Sequence, residues 1–364
     1  MALRGESMNE LKGLKVLELA SVLAGPSVGM FLAELGAEVT KIENPRTEGD
    51  VTRHWKQKNE DPESPYSAYF ASVNWGKNHV FIDLKDENGA EQVRDMASNA
   101  HVIISNYRTG QGERFGLDYE SVKKTNPSVI YGHVSGFGEE DGRPAYDVVL
   151  QAESGYMFMN GQPESEPTKL PVALIDILAA HQLKEGLLLA LLNKERTGNG
   201  ALVSTSLLDA AVTALSNQAT NWLMNGHIPQ RLGSLHPNIA PYGEVLTTKD
   251  DKHIVLAVGS EQQFASLCDV LDLEELKTDD RFHDNQVRVE NRAALKDFMV
   301  EKAVLQSSEE LMHQFLAHGV PAGVIKNMQE VFEEPRAQAS VLEDNMSDGT
   351  IARRVSQVGF HLKP

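Results

Sequence analysis

The sequence predicts an α/β protein: a Rossmann-like large domain built on a parallel sheet, followed by a smaller α/β domain. Three observations carry this expectation. Strand-like and helix-like runs alternate through residues 14–138 as repeated β-α-β units. A stretch dense in Gly, Pro and His, "NGHIPQRLGSLHPNIAPYG" (225–243), interrupts the pattern. Beyond it a second set of strands and helices begins.

Taken in order, "LKVLELA" (14–20) reads as a short apolar strand. "SVLAGPSVGMFLAELGAEVTKIE" follows, with a Gly25-Pro26 turn, a helix of about two turns, Gly36 as its C-cap and a strand through Val39 and Ile42. The unit recurs as "NHVFIDLKDENGAEQVRDMASNAHVIISNY", with strand 79–84, helix 87–98 and strand 101–105. It recurs again in "YESVKKTNPSVIYGHVSGFG". Repeated units of this kind require parallel strands, because the crossover helix returns the chain to the same edge. From 172 to 224 the pattern is helical, with Leu-rich runs at 183–192 and 207–223. After the break, "KHIVLAVGS" and "HGVPAGVIK" read as strands, separated by helices at 261–271, 290–303 and 308–318. The expected domains are therefore 1–224, the large domain, and 225–326, a linker with the small α/β domain. The segment 327–364 is polar, helical at first, and returns to the large domain.

At 364 residues the chain can bury two cores, and its 41% hydrophobic and 24% charged residues are those of a globular protein. A net charge of −18 disfavours nucleic acid and anionic membranes as partners, while leaving room for a local basic pocket. The lone Cys268 excludes an internal disulfide framework and a multi-cysteine zinc site, and fits a reducing cytoplasm. No apolar run approaches the ~18 residues of a membrane span. The opening "MALRGESMNELKG" lacks the apolar core of a secretory signal, and Met8 marks the first seven residues as vector-derived or disordered. The expectation is a soluble cytoplasmic protein.

The loop after the first strand, "SVLAGPSVG", is not G-x-G-x-x-G, so dinucleotide binding is poorly supported. No phosphate-binding Walker loop or H-E-x-x-H metal motif is present, and no metal site is expected. One charge stands out. In "TKLPVALIDILAAHQLKEGLLLALL" (168–192), Asp176 sits among apolar residues at the entrance to a long helix. An ionised carboxylate is expensive to bury unless something pairs with it or uses it. Asp176 either caps the helix, as Asp commonly does, or does chemistry.

Several separated segments share one resemblance. "LKGLKVLELASVLAGP", "LGAEVTKIENP" with its following G-D-x-x-R, "NWGKNHVFIDLK", "NYRTGQGERFGLDYE", "NPSVIYGHVSGFGEEDGRP" and "YDVVLQAESG" resemble the class III (CaiB/BaiF) CoA-transferase family. "LHPNIAPYGEVLTTKD", "LAVGSEQQFASLCDVL", "DDRFHDNQVRVENRAAL" and "HGVPAGVI" continue the match in order, so that it covers residues 11–345. The resemblance implies a Rossmann-like large domain, a small domain and an interlocked homodimer in which each chain threads through a ring made by the other. It implies acyl-CoA and carboxylic acid substrates, with coenzyme A as substrate and no permanently bound cofactor. It also places the family's carboxylate nucleophile on Asp176.

Exchanging one thioester for another is nearly thermoneutral and needs no ATP. It needs a nucleophile able to hold an activated acyl group, here an aspartyl anhydride and then an aspartyl–CoA thioester. The apolar neighbours of Asp176 would shield that anhydride from water. By the same resemblance, Lys77, Asn106, Tyr107, Arg108, Arg114 and Tyr146 stand at CoA-contacting positions, with Trp75, Ser105 and Thr109 departing from the family's usual residues. Leu23, Ala24, Gly25, Gly233 and Ser234 stand at the oxyanion and active-site loops, with His236 beside them. Leu23 replaces the glutamine, and Asn44 the arginine, of formyl-CoA transferases, so formyl-CoA:oxalate transfer is not expected. The chain also ends at "GFHLKP", before a C-terminal helix that most relatives carry.

Two rival readings remain. The α-methylacyl-CoA racemases of this fold pair the aspartate with a histidine in "G-H-D". The matching tripeptide here is "AYD" (145–147), and a phenol of ordinary pKa near ~10 is a poor base. A non-catalytic CoA-binding protein is the other reading.

Overall fold

The computed structural model describes residues 9–346 and 348–362; the first seven residues, expected to stand apart, lie outside them. The first β-α-β unit is β1 (Lys15–Glu18), α1 (Ala24–Glu34) and β2 (Glu38–Glu43). The short α2 (Ala68–Ala71), β3 (Lys77–Phe81), α3 (Glu87–Ser98) and β4 (Val102–Ser105) follow. Then come α4 (Gln111–Phe115), α5 (Tyr119–Thr125), β5 (Ile130–Ser135), α6 (Asp147–Glu153), α7 (Tyr156–Met159), α8 (Leu174–Thr197) and β6 (Ala201–Ser206). Helices α9 (Leu207–Thr213) and α10 (Ser216–Asn225) complete this stretch.

All six strands pair in parallel in the order β3-β2-β1-β4-β5-β6, a doubly wound sheet. The period-2 alternation of the strands supplies both of its faces. Val16, Val102, Ile104 and Ile130 pack under α1 and α8, while Leu17, Ile103 and Tyr131 pack with Val93 and Val122 on the other side.

The structure corrects the expected elements in three places. Helix α1 begins at Ala24, so Gly25-Pro26 lies inside its first turn and the turn proper is Ser21–Leu23. Gly25 is needed for close approach, because a Cβ there would stand 2.3 Å from the Cβ of Ala20. The stretch expected to be helical from 172 to 224 is broken by β6. Gly198 ends α8 at φ +74°, and Gly200 lets β6 run against β5, where a Cβ would meet Val129 O at 2.2 Å. Finally, the tail forms an antiparallel hairpin, described below.

The chain divides into two compact units. The first runs to Tyr156 and resumes over Lys169–Ile228 and from Pro335. The second takes Met157–Thr168 and Pro229–Glu334, so a short excursion expected in the large domain belongs with it, and it extends past 326. The second unit has a three-stranded antiparallel sheet of β7 (Tyr242–Thr247), β8 (His253–Ala257) and β9 (Ala322–Val324). Helices α11 (Glu261–Val270), α12 (Asn285–Glu290), α13 (Arg292–Ala303) and α14 (Ser308–Ala317) lie between β8 and β9 in the chain. Leu256, Phe264, Leu295, Met299 and Phe315 form its own core. In the first unit, β10 (Val341–Asn345) and β11 (Ile351–Val355) pair as the tail hairpin. No helix among the described residues is long and apolar enough to cross a membrane.

Candidate active site

In an open parallel sheet the crossovers from two adjacent strands leave toward opposite faces at one point, and a crevice opens beyond their carboxyl ends. Here that point lies between β1 and β4. A cleft of about 530 Å³ occupies it, lined by the β1–α1 turn (Ser21 to Ala24), the residues after β4 (Asn106 to Thr109), the end of β5 and Asp176.

Asp176 lies in the first turn of α8, three residues after the N-cap Ala173. The cap reading is therefore incorrect: Asp147 does that work, its Oδ1 accepting the Ile175 N–H at 2.7 Å. Gln151, fully buried, donates to the other oxygen of Asp147 at 2.5 Å and accepts the Leu170 N–H at 2.7 Å. Asp147 and Gln151 thus fix where α8 begins and hence where Asp176 stands. Asp176 itself is 9% exposed, and no hydrogen bond from the described residues reaches its carboxylate. Burial, and then the nearby Asp147 carboxylate, push its carboxyl up to about 7. The positive end of α8 works in the opposite sense, favouring the ionised form.

The β1–α1 turn that faces this carboxylate is unusual. Val22 has φ +72°. For a β-branched residue that conformation is strained by roughly 1–3 kcal/mol. Buried charges lie beneath it. Lys41 Nζ meets Glu18 Oε1 at 3.0 Å and Asp50 Oδ2 at 3.1 Å. Burial pulls the Lys41 ammonium down, but Glu18 and Asp50 outweigh it and hold it above its ordinary value. The N–H groups of Leu23, Ala24 and Gly25 at the start of α1 have no acceptor among the described residues.

The cleft brings together Leu23, Ala24, Asn106, Tyr107, Arg108, Tyr146 and Asp176. Other expected residues lie elsewhere. Lys77 is not available to a phosphate: its buried ammonium contacts Glu18 at 2.8 Å, Pro26 O at 2.9 Å and Asn74 Oδ1 at 3.0 Å. Burial brings it down to about 8, with Glu18 opposing. Asn106 lines the cleft, yet its amide is committed to Ser21, accepting the N–H at 3.1 Å and donating to the carbonyl at 2.8 Å. Arg114 is exposed on α4 and does not line the cleft. Gly25 is buried within the first turn of α1. Gly233 and Ser234 belong to the second unit, where the Gly233 N–H donates to Gly161 O at 2.8 Å and the Ser234 hydroxyl to Gly243 O at 2.6 Å. Their donors are used there. His236 stacks edge-on against Tyr242 in the same unit.

Sequence reasoning missed Asp147, although it stands in the quoted "AYD", and Asp50, which stands in the quoted G-D-x-x-R. It also missed Tyr69 on α2, half-buried against Trp55 at 5.0 Å between ring centres. Burial and the carboxylates of Asp176, Asp147 and Asp50 push the Tyr69 phenol up to about 12, so a neutral hydroxyl stands among these three acids. Among the described residues no cluster of three or more His, Cys, Asp or Glu side chains could hold a metal ion.

The family model for CoA-transferase family III matches residues 11–363. The chain belongs to this family. It is 36% identical over 349 residues to the succinate–glutarate CoA-transferase of Agrobacterium fabrum, covering 94% of this chain and 86% of that protein. It is 34% identical over 350 residues to the human succinyl-CoA:glutarate CoA-transferase, covering 95% and 78% respectively. Among solved structures it superimposes on a CaiB/BaiF family protein from Brucella suis with a TM-score of 0.83 and 37% identity, over 97% of this chain and 92% of the other.

In this family III chain the buried carboxylate has a measurable thermodynamic consequence. Its folded pKa of about 7 lies above the ordinary 3.8, so the folded state holds a proton that the unfolded state releases. The group therefore favours the fold below pH ~4, loses that contribution as pH rises, and above the folded value costs roughly 4 kcal/mol. Asp176→Asn should match the wild type near pH 4 and be more stable at pH 8, measured by thermal unfolding at both. An equal shift at the two pH values would contradict the burial argument.

Proposed function

We propose that this chain moves coenzyme A from a dicarboxylic acyl-CoA, such as succinyl-CoA, to a second small dicarboxylic acid, with Asp176 as the nucleophile. One observation carries the reading: a carboxylate nine-tenths buried, with no hydrogen bond from the described residues, facing a cleft at the switch point of the sheet. The substrate class comes from the relatives named above, two of which take succinate or succinyl-CoA and glutarate by name.

The steps balance without a further reactant. The Asp176 carboxylate attacks the donor thioester carbon, the C–S bond breaks, and CoA leaves as thiolate from a mixed anhydride. The thiolate then attacks the Asp176 carbonyl carbon and expels the donor acid, leaving an aspartyl–CoA thioester. The acceptor carboxylate attacks that thioester and releases the thiolate. The thiolate attacks the acceptor's acyl carbon, which forms the new acyl-CoA and returns Asp176 as carboxylate. Each tetrahedral intermediate carries an oxyanion, for which the acceptor-less N–H groups at Leu23 and Ala24 are the donors. Arg108, Tyr107 and Tyr146, along the same cleft, serve the CoA. Racemisation is less well supported, since Tyr146 stands where the second base would be.

The working form in this reading is a cytoplasmic homodimer. Helix α10 has no buried residue, and Trp222, Leu223 and Met224 on it are exposed, as are Leu188, Leu189 and Leu192 on α8. A second copy covering these side chains accounts for them. Light scattering should give twice the 40.1 kDa chain mass; a monomer at micromolar concentration would remove this part of the reading.

Incubation with succinyl-CoA followed by hydroxylamine should convert Asp176 to a hydroxamate, detected by peptide mass spectrometry. Asp176→Ala should lose transfer entirely while still binding CoA. An unmodified Asp176 with active enzyme would overturn the mechanism. Because only the ionised carboxylate attacks, kcat/KM should fall as pH drops through about 7. Asp147→Asn removes the like charge while keeping an acceptor for Ile175, and should move that limb to lower pH. A limb that stays in place in the variant would assign the shift to burial alone.

A further inference from the structure

The turn from β1 into α1 is held at four points by side chains that the reaction scheme leaves unused. Lys41 Nζ donates to Ala20 O at 2.6 Å while contacting Glu18 and Asp50. Asn106 holds Ser21 at both its N–H and its carbonyl. Asp50 accepts the Val22 N–H, at 3.1 Å to Oδ2 and 3.4 Å to Oδ1. Lys77 Nζ donates to Pro26 O at 2.9 Å. Asp50 is itself fixed, its Oδ1 accepting the Thr52 N–H at 3.1 Å and the Thr52 hydroxyl at 2.9 Å. Its own N–H donates to Glu43 Oε2 at 2.8 Å.

This is a large buried charge cluster for one short turn. A surface turn needs no such support, and a buried ion pair is seldom retained for stability alone, because desolvation offsets most of its attraction. The cluster instead ends on Val22, the one β-branched residue with a left-handed backbone among the described residues. Without the Asp50 carboxylate, Val22 has no reason to keep φ +72°. Relaxing it would reorient the peptide groups leading into Leu23 and Ala24. Those are the residues whose free N–H groups share the cleft with the unpartnered Asp176 carboxylate.

We infer that Asp50 and Lys41 are positioning residues for acyl transfer: together they hold Val22 in its left-handed conformation and so set the Leu23 and Ala24 N–H groups as oxyanion donors opposite Asp176. The inference rests on the reading of Asp176 as nucleophile. Neither residue touches the reacting atoms. Lys41 contributes by holding Ala20 and by orienting Asp50; Asp50 contributes by holding Val22.

The test is steady-state kinetics with succinyl-CoA and glutarate, with hydroxylamine trapping of the wild type alongside. Asp50→Ala should lower kcat about a hundredfold and leave KM for the acyl-CoA within about threefold, since substrate binding does not use the turn's N–H groups while the intermediates do. Adding Val22→Gly to Asp50→Ala should recover about tenfold in kcat, because glycine adopts the left-handed conformation unaided. A residue needed only for folding would show no such rescue. Should Asp50→Ala fail to fold, Thr52→Val removes the hydroxyl that orients Asp50 while leaving every charge in place, and kcat should fall by about tenfold at unchanged KM. If the wild type is labelled at Asp176 but the folded variants keep wild-type kcat, or lose kcat without rescue, the positioning role is overturned and the nucleophile stands. If the wild type is active and unlabelled, both are overturned.

Discussion

The site depends first on a topological constraint. Parallel strands joined by right-handed crossovers must send their helices to one face or the other, and where adjacent strands choose opposite faces the sheet has an uncovered carboxyl edge. In this chain the choice falls between β1 and β4. Every element bearing on the cleft follows from it. The β1–α1 turn forms one wall, the loop after β4 another, and the long connection from β5 to β6 brings the start of α8 to the opening.

Charges in this molecule are distributed by depth. The −18 overall charge keeps the surface acidic, while the interior beneath the first turn holds Lys41 and Lys77 against Glu18 and Asp50. Those ions neutralise one another. Asp176 is different, because the charge that acts on it is that of another acid, Asp147. A carboxylate left without a donor and pushed toward neutrality is a poor contributor to stability. In the mechanism proposed above, the anhydride and the thioester are bonds that remove this charge, so the energy withheld from the fold at this residue would be available to that chemistry.

Much of the fold was legible because parallel strands covered on both faces read as short apolar runs between helical segments. The residues of β1, β4 and β5 divide between two cores, and Gly36 and Asp86 punctuate the helices beside them. β6 was not legible, since "ALVSTS" stands between two Leu-rich helices and only the flanking Gly198 and Gly200 mark it. Asp176 stood out as a lone charge in apolar sequence, but its relation to the helix start required coordinates: the capping carboxylate comes from Asp147, 28 residues before the Ile175 it holds. Lys77 was misjudged for a related reason. Sequence reports that a cation exists, not which carboxylate and carbonyls surround it. The strain at Val22 is invisible in sequence, because nothing but its backbone angle distinguishes it from any other valine.

The route of the chain has a consequence for how it is made. The first unit is assembled from three stretches of sequence, and the second is completed between them. Near the C-terminus, Glu34 of α1 accepts the backbone N–H of Gln357 at 2.6 Å, and the Ser356 hydroxyl also bonds to it. Lys184, in the middle of α8, reaches Gln357 Oε1 at 3.1 Å. One of the earliest helices to be synthesised is therefore secured by residues that follow it more than 300 positions later. Until those emerge from the ribosome, α1 and α8 lack these fastenings, so the sheet domain closes only after the residues of the second unit have been made. A ribosome-bound chain whose residue 334 has just left the exit tunnel should thus hold a formed second unit while the first is incompletely fastened.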